Sequence, residues 1–172
     1  MGLFGKHDDQ DHRHYKMTEK MFSVGDDYWI EDDQGERRYK VNGKAMHVRD
    51  TWVLENAAGE EVAKIHERML SLHKTILIEL DGRTATVKKA LVGFRDRFVI
   101  EVDGGDELKA HGNIVDHEYV IERDGDTLAE ISKKWFRMRD TYGIEIREPA
   151  LTVLLLAISV AVDALAHDGP LE

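Results

Sequence analysis

Residues 150–162 (ALTVLLLAISVAV) constrain the fold more than any other stretch. The run carries no charge and is apolar on every side when wound as a helix. A helix that is apolar all round has to be buried all round. Almost everything from residue 17 to residue 147 reads as short strands, so the strands are expected to wrap the helix. The alternative cover is lipid. Thirteen residues at ~1.5 Å each cover only about 20 Å of a ~30 Å hydrocarbon core. Extending to His167 reaches about 28 Å but brings in Asp163, at a cost of about 2.5–3.5 kcal/mol. The run is therefore expected to lie inside its own protein, without a transmembrane span. Pro149 suits the first helical turn, His167 the last, and Gly169 and Pro170 stop it. Thr152 and Ser159 can return their hydroxyls to backbone carbonyls one turn back.

Turn residues punctuate the rest at short, even intervals. Asp32-Asp33-Gln34-Gly35, Asn56-Ala57-Ala58-Gly59, Asp81-Gly82, Asp103-Gly104-Gly105-Asp106 and Asp124-Gly125 each separate two short apolar-rich runs. Asp81-Gly82 is a two-residue connection of the type I′ kind. Strands are expected over 28–31, 37–41, 51–55, 61–66, 75–80, 83–88, 97–102, 107–112, 118–123 and 126–132, with 20–24 and 141–147 completing about twelve. Period-two alternation supports them: Ile76, Ile78 and Leu80 share one face, as do Phe98, Ile100 and Val102, and Tyr142, Ile144 and Ile146. Residues 67–74 form a longer connection with room for a helical turn. Closure removes sticky sheet edges, and a barrel wider than eight strands needs a filler. The expected fold is mainly β: an antiparallel closed barrel of about twelve strands enclosing the C-terminal helix. Residues 1–16 are expected to be a disordered polar leader, 17–168 the single barrel domain and 169–172 a tail.

At 172 residues the chain fits one domain. Its net charge of −10 opposes a nucleic-acid role, because nucleic acid is itself a polyanion. Cysteine is absent, which excludes disulfides and thiolate metal sites and suits a reducing cytoplasm.

Three stretches are similar to the LURP-one-related family: Gly112-Asn113-Ile114-Val115-Asp116-His117-Glu118-Tyr119-Val120-Ile121, then Ala129-Glu130-Ile131-Ser132-Lys133-Lys134-Trp135-Phe136, then Arg139-Asp140-Thr141-Tyr142-Gly143. The closing apolar helix ending in Val162-Asp163 fits as well. The resemblance covers roughly residues 17–167. It implies the tubby C-terminal-like fold shared with phospholipid scramblases, a twelve-stranded barrel around a hydrophobic C-terminal helix. The relatives' tubby lipid-site residues find no counterparts here, and the scramblases' cysteine-rich segment is missing.

Catalytic motifs fail in turn: there is no G-x-S-x-G, Walker loop, G-x-G-x-x-G or H-E-x-x-H. His7, His12 and His14 lie among the leader's aspartates, and His47, His66, His73 and His111 are scattered. His117-Glu118 opens a strand, so the two side chains would face opposite ways. No metal or cofactor is expected. Asp163 is the possible buried acid, expected near the barrel mouth and bonded to arginine or backbone amides. The candidate binding surface is Lys133, Lys134, Trp135, Arg137 and Arg139. Clustered cations suit anionic headgroups, and aromatic rings suit the interfacial zone. On a strand, Lys133, Trp135, Arg137 and Arg139 would share a side. Arg37, Arg38, Lys40 and Lys44 form a second basic cluster. The expected role is a non-catalytic binding or scaffold module, cytoplasmic or peripheral to the membrane, recognising anionic phospholipid or a protein. The alternative is a small-molecule carrier or enzyme with a pocket at the barrel mouth.

Overall fold

Twelve antiparallel strands close into one barrel around the helix. The structure is a computed structural model describing residues 13–18, 27–43, 51–68, 74–90, 97–135 and 141–167. The strands are β1 (Arg13–Thr18), β2 (Asp27–Asp32), β3 (Arg37–Asn42), β4 (Thr51–Asn56), β5 (Glu61–Glu67), β6 (Thr75–Leu80), β7 (Arg83–Ala90), β8 (Arg97–Val102), β9 (Glu107–Asn113), β10 (Glu118–Arg123), β11 (Asp126–Ser132) and β12 (Thr141–Ile146). Each pairs with its neighbours in the chain, and β1 closes the ring against β12. That seam runs from Arg13 opposite Ile146 to Thr18 opposite Thr141. On its other side β1 meets β2 only at Tyr15–Asp32 and Lys16–Glu31.

Alternation sets the interior. Ile30, Val41, Ile65, Ile78, Val87, Phe98, Ile100, Ile121 and Ile144 are fully enclosed. Each such aliphatic or aromatic side chain contributes about 1.5–3 kcal/mol over exposure. The space they leave is filled by α1 (Thr152–His167), which follows a 3-10 turn at Pro149–Leu151. Every residue from 155 to 163 is 0% exposed. An outside helix on a β-sandwich would have one wet face along its length, whereas this helix is buried on all sides from 154 to 165. By length and composition 149–166 could cross a membrane, but it runs inside the barrel. The Thr152 hydroxyl donates to the Pro149 carbonyl at 2.7 Å and the Ser159 hydroxyl to Leu155 at 3.0 Å.

The barrel has two unlike ends. The five tight turns lie at one, and α1 enters there, where the Arg147 N–H donates to the Leu128 carbonyl at 2.8 Å. Asp81 (φ 48°) and Gly82 (φ 72°) have the two positive φ angles that a type I′ turn demands. At the other end lie the turn 114–117, the 3-10 turn Lys133–Trp135, and the strand ends flanking 19–26, 44–50, 69–73, 91–96 and 136–140.

Two expectations need correction, and others fall outside the described residues. The first strand is Arg13–Thr18, so residues 13–16 belong to the barrel and not to a leader. Their polarity misled because the outward residues His14 and Lys16 are bonded to Glu145 and Glu31 on neighbouring strands. The strand expected at 20–24 lies outside the described residues, as do 69–73 in the long connection and the tail 169–172. Finally, β12 does not alternate between core and water, since Thr141 and Gly143 are buried too. The turn Lys133–Trp135 packs against this strand.

Candidate functional site

Asp163 sits on the second half of α1 with no exposed surface. A lone carboxylate there would be prohibitively costly, so partners are required. The Tyr142 hydroxyl, pointing inward from β12, donates to Oδ2. His117 Nε2 lies 3.5 Å from Oδ1. The His117 ring stacks on Tyr142, with centroids 4.2 Å apart and planes 23° from parallel. Expectation had Asp163 at the mouth beside arginine or backbone amides. It has no exposed surface, and a phenol and an imidazole are among the groups that meet it.

His117 reaches it because it is not on a strand. It closes the turn 114–117 with φ 54°, a left-handed backbone that side-chain-bearing residues seldom adopt. Its N–H donates to the Ile114 carbonyl at 3.1 Å. Gly112 (φ 137°) lets the chain cross closely here. A Cβ on it would stand 2.6 Å from the Glu118 carbonyl oxygen and 2.8 Å from Tyr119 Cα. Tyr119, next along β10 and buried, has its hydroxyl pushed well above the usual phenol range. Burial does most of this, the Asp163 charge adds to it, and the nearby Ser159 hydroxyl opposes it. A positive φ cannot be read from a histidine codon by codon, which is why this partner was missed. The one hint was that Asn113-Ile114-Val115-Asp116 can form a turn that delays the next strand.

The basic segment also departs from expectation. Lys133–Trp135 is a 3-10 turn, so its side chains do not alternate as on a strand. Glu118 ends β11: its carboxylate accepts the Ser132 hydroxyl at 2.8 Å and the Lys133 N–H at 3.0 Å. The Ser132 oxygen then accepts the Lys134 N–H at 3.1 Å. Lys133 and Lys134 are exposed. Trp135 is half-buried, edge-on to His14 at 5.6 Å on the outer wall. Arg137 and Arg139 lie outside the described residues.

The LURP-one-related family matches residues 13–163. The chain belongs to the LURP-one-related family. The X-ray structure of an Arabidopsis thaliana protein is 12% identical, with a TM-score of 0.56 over 88% of this chain and 91% of that one. At that identity the likeness speaks for the barrel fold alone. No curated protein matches.

In this LURP-one-related barrel the second basic cluster is largely neutralised. Arg38 bonds Asp32 at 2.7 Å and Glu36 at 2.8 Å, and Lys40 bonds Asp27 at 3.0 Å. Arg37 lies 4.9 Å above the Trp29 ring. Lys44 is outside the described residues. The Arg38 guanidinium holds the Asp32 carboxyl below its ordinary range. The described histidines outside the core do not converge. His14, His66 and His111 each meet a cross-strand carboxylate, Glu145, Glu79 and Glu122. His7, His12, His47 and His73 lie outside the described residues. Among those described, no group of three His, Asp or Glu side chains is placed to hold a metal. Hollows open at the hairpin end: one of about 430 Å³ beside β5, β6 and β7, which Arg83 also borders, and two others. One, of about 720 Å³, lies between β1 and the β2–β3 hairpin and includes Arg13, Arg38, Tyr15 and Tyr39. The other, of about 450 Å³, lies where α1 enters.

Proposed function

We propose that this LURP-one-related chain is a non-catalytic binding module that docks on anionic membrane surfaces through the end of the barrel away from the hairpin turns. The contrast between the two ends carries the reading. The five hairpin turns hold Asp33, Glu36, Glu60, Asp81, Asp103, Asp106 and Asp124, and no large apolar residue. The opposite end presents exposed Lys133 and Lys134, together with Val115, a large apolar side chain that is 59% exposed. Cations beside aromatic and aliphatic residues match the chemistry of a headgroup layer. An acidic opposite end would orient the approach. The non-catalytic reading is supported by the sealed cluster. His117 and Asp163 are 2% and 0% exposed, so no substrate reaches them.

Vesicle co-sedimentation of the full chain tests this. Binding is expected to rise with the anionic lipid fraction and fall with salt. Each Lys or Arg near an anionic surface is worth about 1 kcal/mol. Reversing Lys133, Lys134, Arg137 and Arg139 to Glu should therefore weaken binding more than a hundredfold. No binding at low salt, or equal binding to neutral vesicles, overturns the proposal and leaves a protein partner as the reading to pursue.

A further inference from the structure

The hollow at the helix entrance has a composition that the membrane-docking end does not share. Its floor is apolar: Leu80, Val102 and Leu108 from the wall, and Leu151, Val153 and Leu154 from the start of the helix. Leu151 and Val153 are only half-buried, so the first turn of an otherwise enclosed helix is left uncovered here. At about 450 Å³ the space lies within the range of small-molecule sites.

Charge is placed over this floor by strand parity. On β7, Ala85 and Val87 face the core, and Arg83 occupies the same register two residues nearer the mouth. On β10, Tyr119 and Ile121 face the core and Arg123 continues their register. Both guanidiniums therefore stand on the inward-facing rows at the rim. Arg123 is engaged by Asp106, at 3.5 Å. Arg83 meets no acid within ion-pair distance among the described residues and lines the hollow.

We infer that this mouth binds a small amphiphilic monoanion, a medium-chain carboxylate, with its chain on the apolar floor and its carboxylate on Arg83. A guanidinium offers two parallel N–H donors that match a carboxylate. Asp81 and Asp106 also border the hollow. Their negative charge disfavours a dianionic phosphate and selects a head with a single charge. The site lies at the opposite end from the surface proposed to meet membranes, so either reading can fail without the other.

The test is titration of the full chain with decanoate, decanol and butyrate below micellar concentrations, followed by calorimetry and methyl NMR. Decanoate should saturate one site and shift the methyl resonances of Leu108, Leu151 and Leu154. Decanol, which lacks the charge, and butyrate, which lacks the chain, should each bind at least tenfold more weakly. Arg83→Gln should weaken decanoate about tenfold and leave decanol unchanged. Arg38→Gln, in the hollow between β1 and the β2–β3 hairpin, should leave decanoate binding as it was. Arg83 is exposed, so its variant is expected to fold, and a thermal melt confirms it. Leu151→Trp, which fills the rim, should abolish binding. Equal affinity for decanoate and decanol, an Arg83→Gln variant with unchanged affinity, or no saturable binding overturns the inference.

Discussion

The two ends of this barrel treat polar groups in opposite ways. At the hairpin mouth, charges stand in water. Arg38 lies against Asp32 and Glu36 while still half-exposed, and Arg123 lies against Asp106. At the other end, α1 delivers Asp163 into a closed space where Tyr142 and His117 meet it. Solvent screens the first kind of contact, and its worth is small. The second kind has no water to fall back on. Removing one partner strands the others, and the penalty is several-fold larger. The helix explains why a buried acid is tolerated at all. An all-apolar rod in a round bore has no feature that fixes its depth or rotation, whereas one buried carboxylate that must be partnered does.

The largest expected effect tests that difference at its root. Asp163→Ala takes the carboxylate away from the Tyr142 hydroxyl and the His117 ring in the core. It should cost about 3–5 kcal/mol in urea denaturation. Asp163→Asn, which keeps an acceptor, should cost distinctly less. Equal losses from the two would mean that shape matters here and the polar contacts do not. Tyr142→Phe should remove about 1.5–3 kcal/mol, the worth of a hydrogen bond to a charged group.

Gly112→Ala comes next. The new Cβ would meet backbone atoms of Glu118 and Tyr119 under 3 Å away, at a φ that suits only glycine. A cost of about 1–3 kcal/mol is expected. The readout that distinguishes this site from an ordinary turn is the His117 imidazole resonance, which should shift as its turn is displaced. An unchanged His117 signal would separate the glycine crossing from the cluster.

Alkaline pH probes the same interior. Tyr119 keeps its proton in the folded chain well above pH 10, because burial and Asp163 oppose the phenolate. The unfolded chain releases that proton near pH 10. A group raised in the folded state contributes stability that is whole below its unfolded pKa and is lost as pH rises through the folded one. Stability should therefore decline from about pH 10 upward, and Tyr119→Phe should flatten that decline. The other tyrosines titrate too, so the comparison is the variant's slope against the parent's.

Much of the architecture was legible in the residues. The uncharged run at 150–162 demanded an enclosure, and the Asp-Gly and Gly-rich turns spaced the strands that provide it. Inward rows such as Ile76-Ile78 and Phe98-Ile100 could be read by parity alone. Legibility failed where a residue's state depends on a distant neighbour. Residues 13–16 look like solvated chain until Glu145 and Glu31 stand beside them. Lys133–Trp135 continues a strand in sequence, but Glu118, fourteen residues before Ser132, captures its first N–H and turns it. Asp163 was visible as an acid that had to be satisfied. His117 was not visible as the group that satisfies it, because a left-handed histidine leaves no periodic trace.

The smallest expected effect lies at the hairpin mouth and marks the other side of the contrast. Asp32 accepts N–H groups from Gln34 and Glu36 at 3.0 and 2.9 Å and the Arg38 guanidinium at 2.7 Å. The Arg38 bond is the chief reason its carboxyl lies below the ordinary range. A carboxylate depressed in the folded state contributes stability above its unfolded pKa, near 3.9, and loses it as pH falls through the folded value. Arg38→Ala should therefore cost a little stability at neutral pH, with the gap to the parent closing as pH falls through the folded value and vanishing at any pH in ~1 M salt. Asp163→Ala should be insensitive to the same salt, because ions do not enter the bore. If both variants respond alike to salt, the interior cluster is open to solvent and the distinction between the two ends collapses.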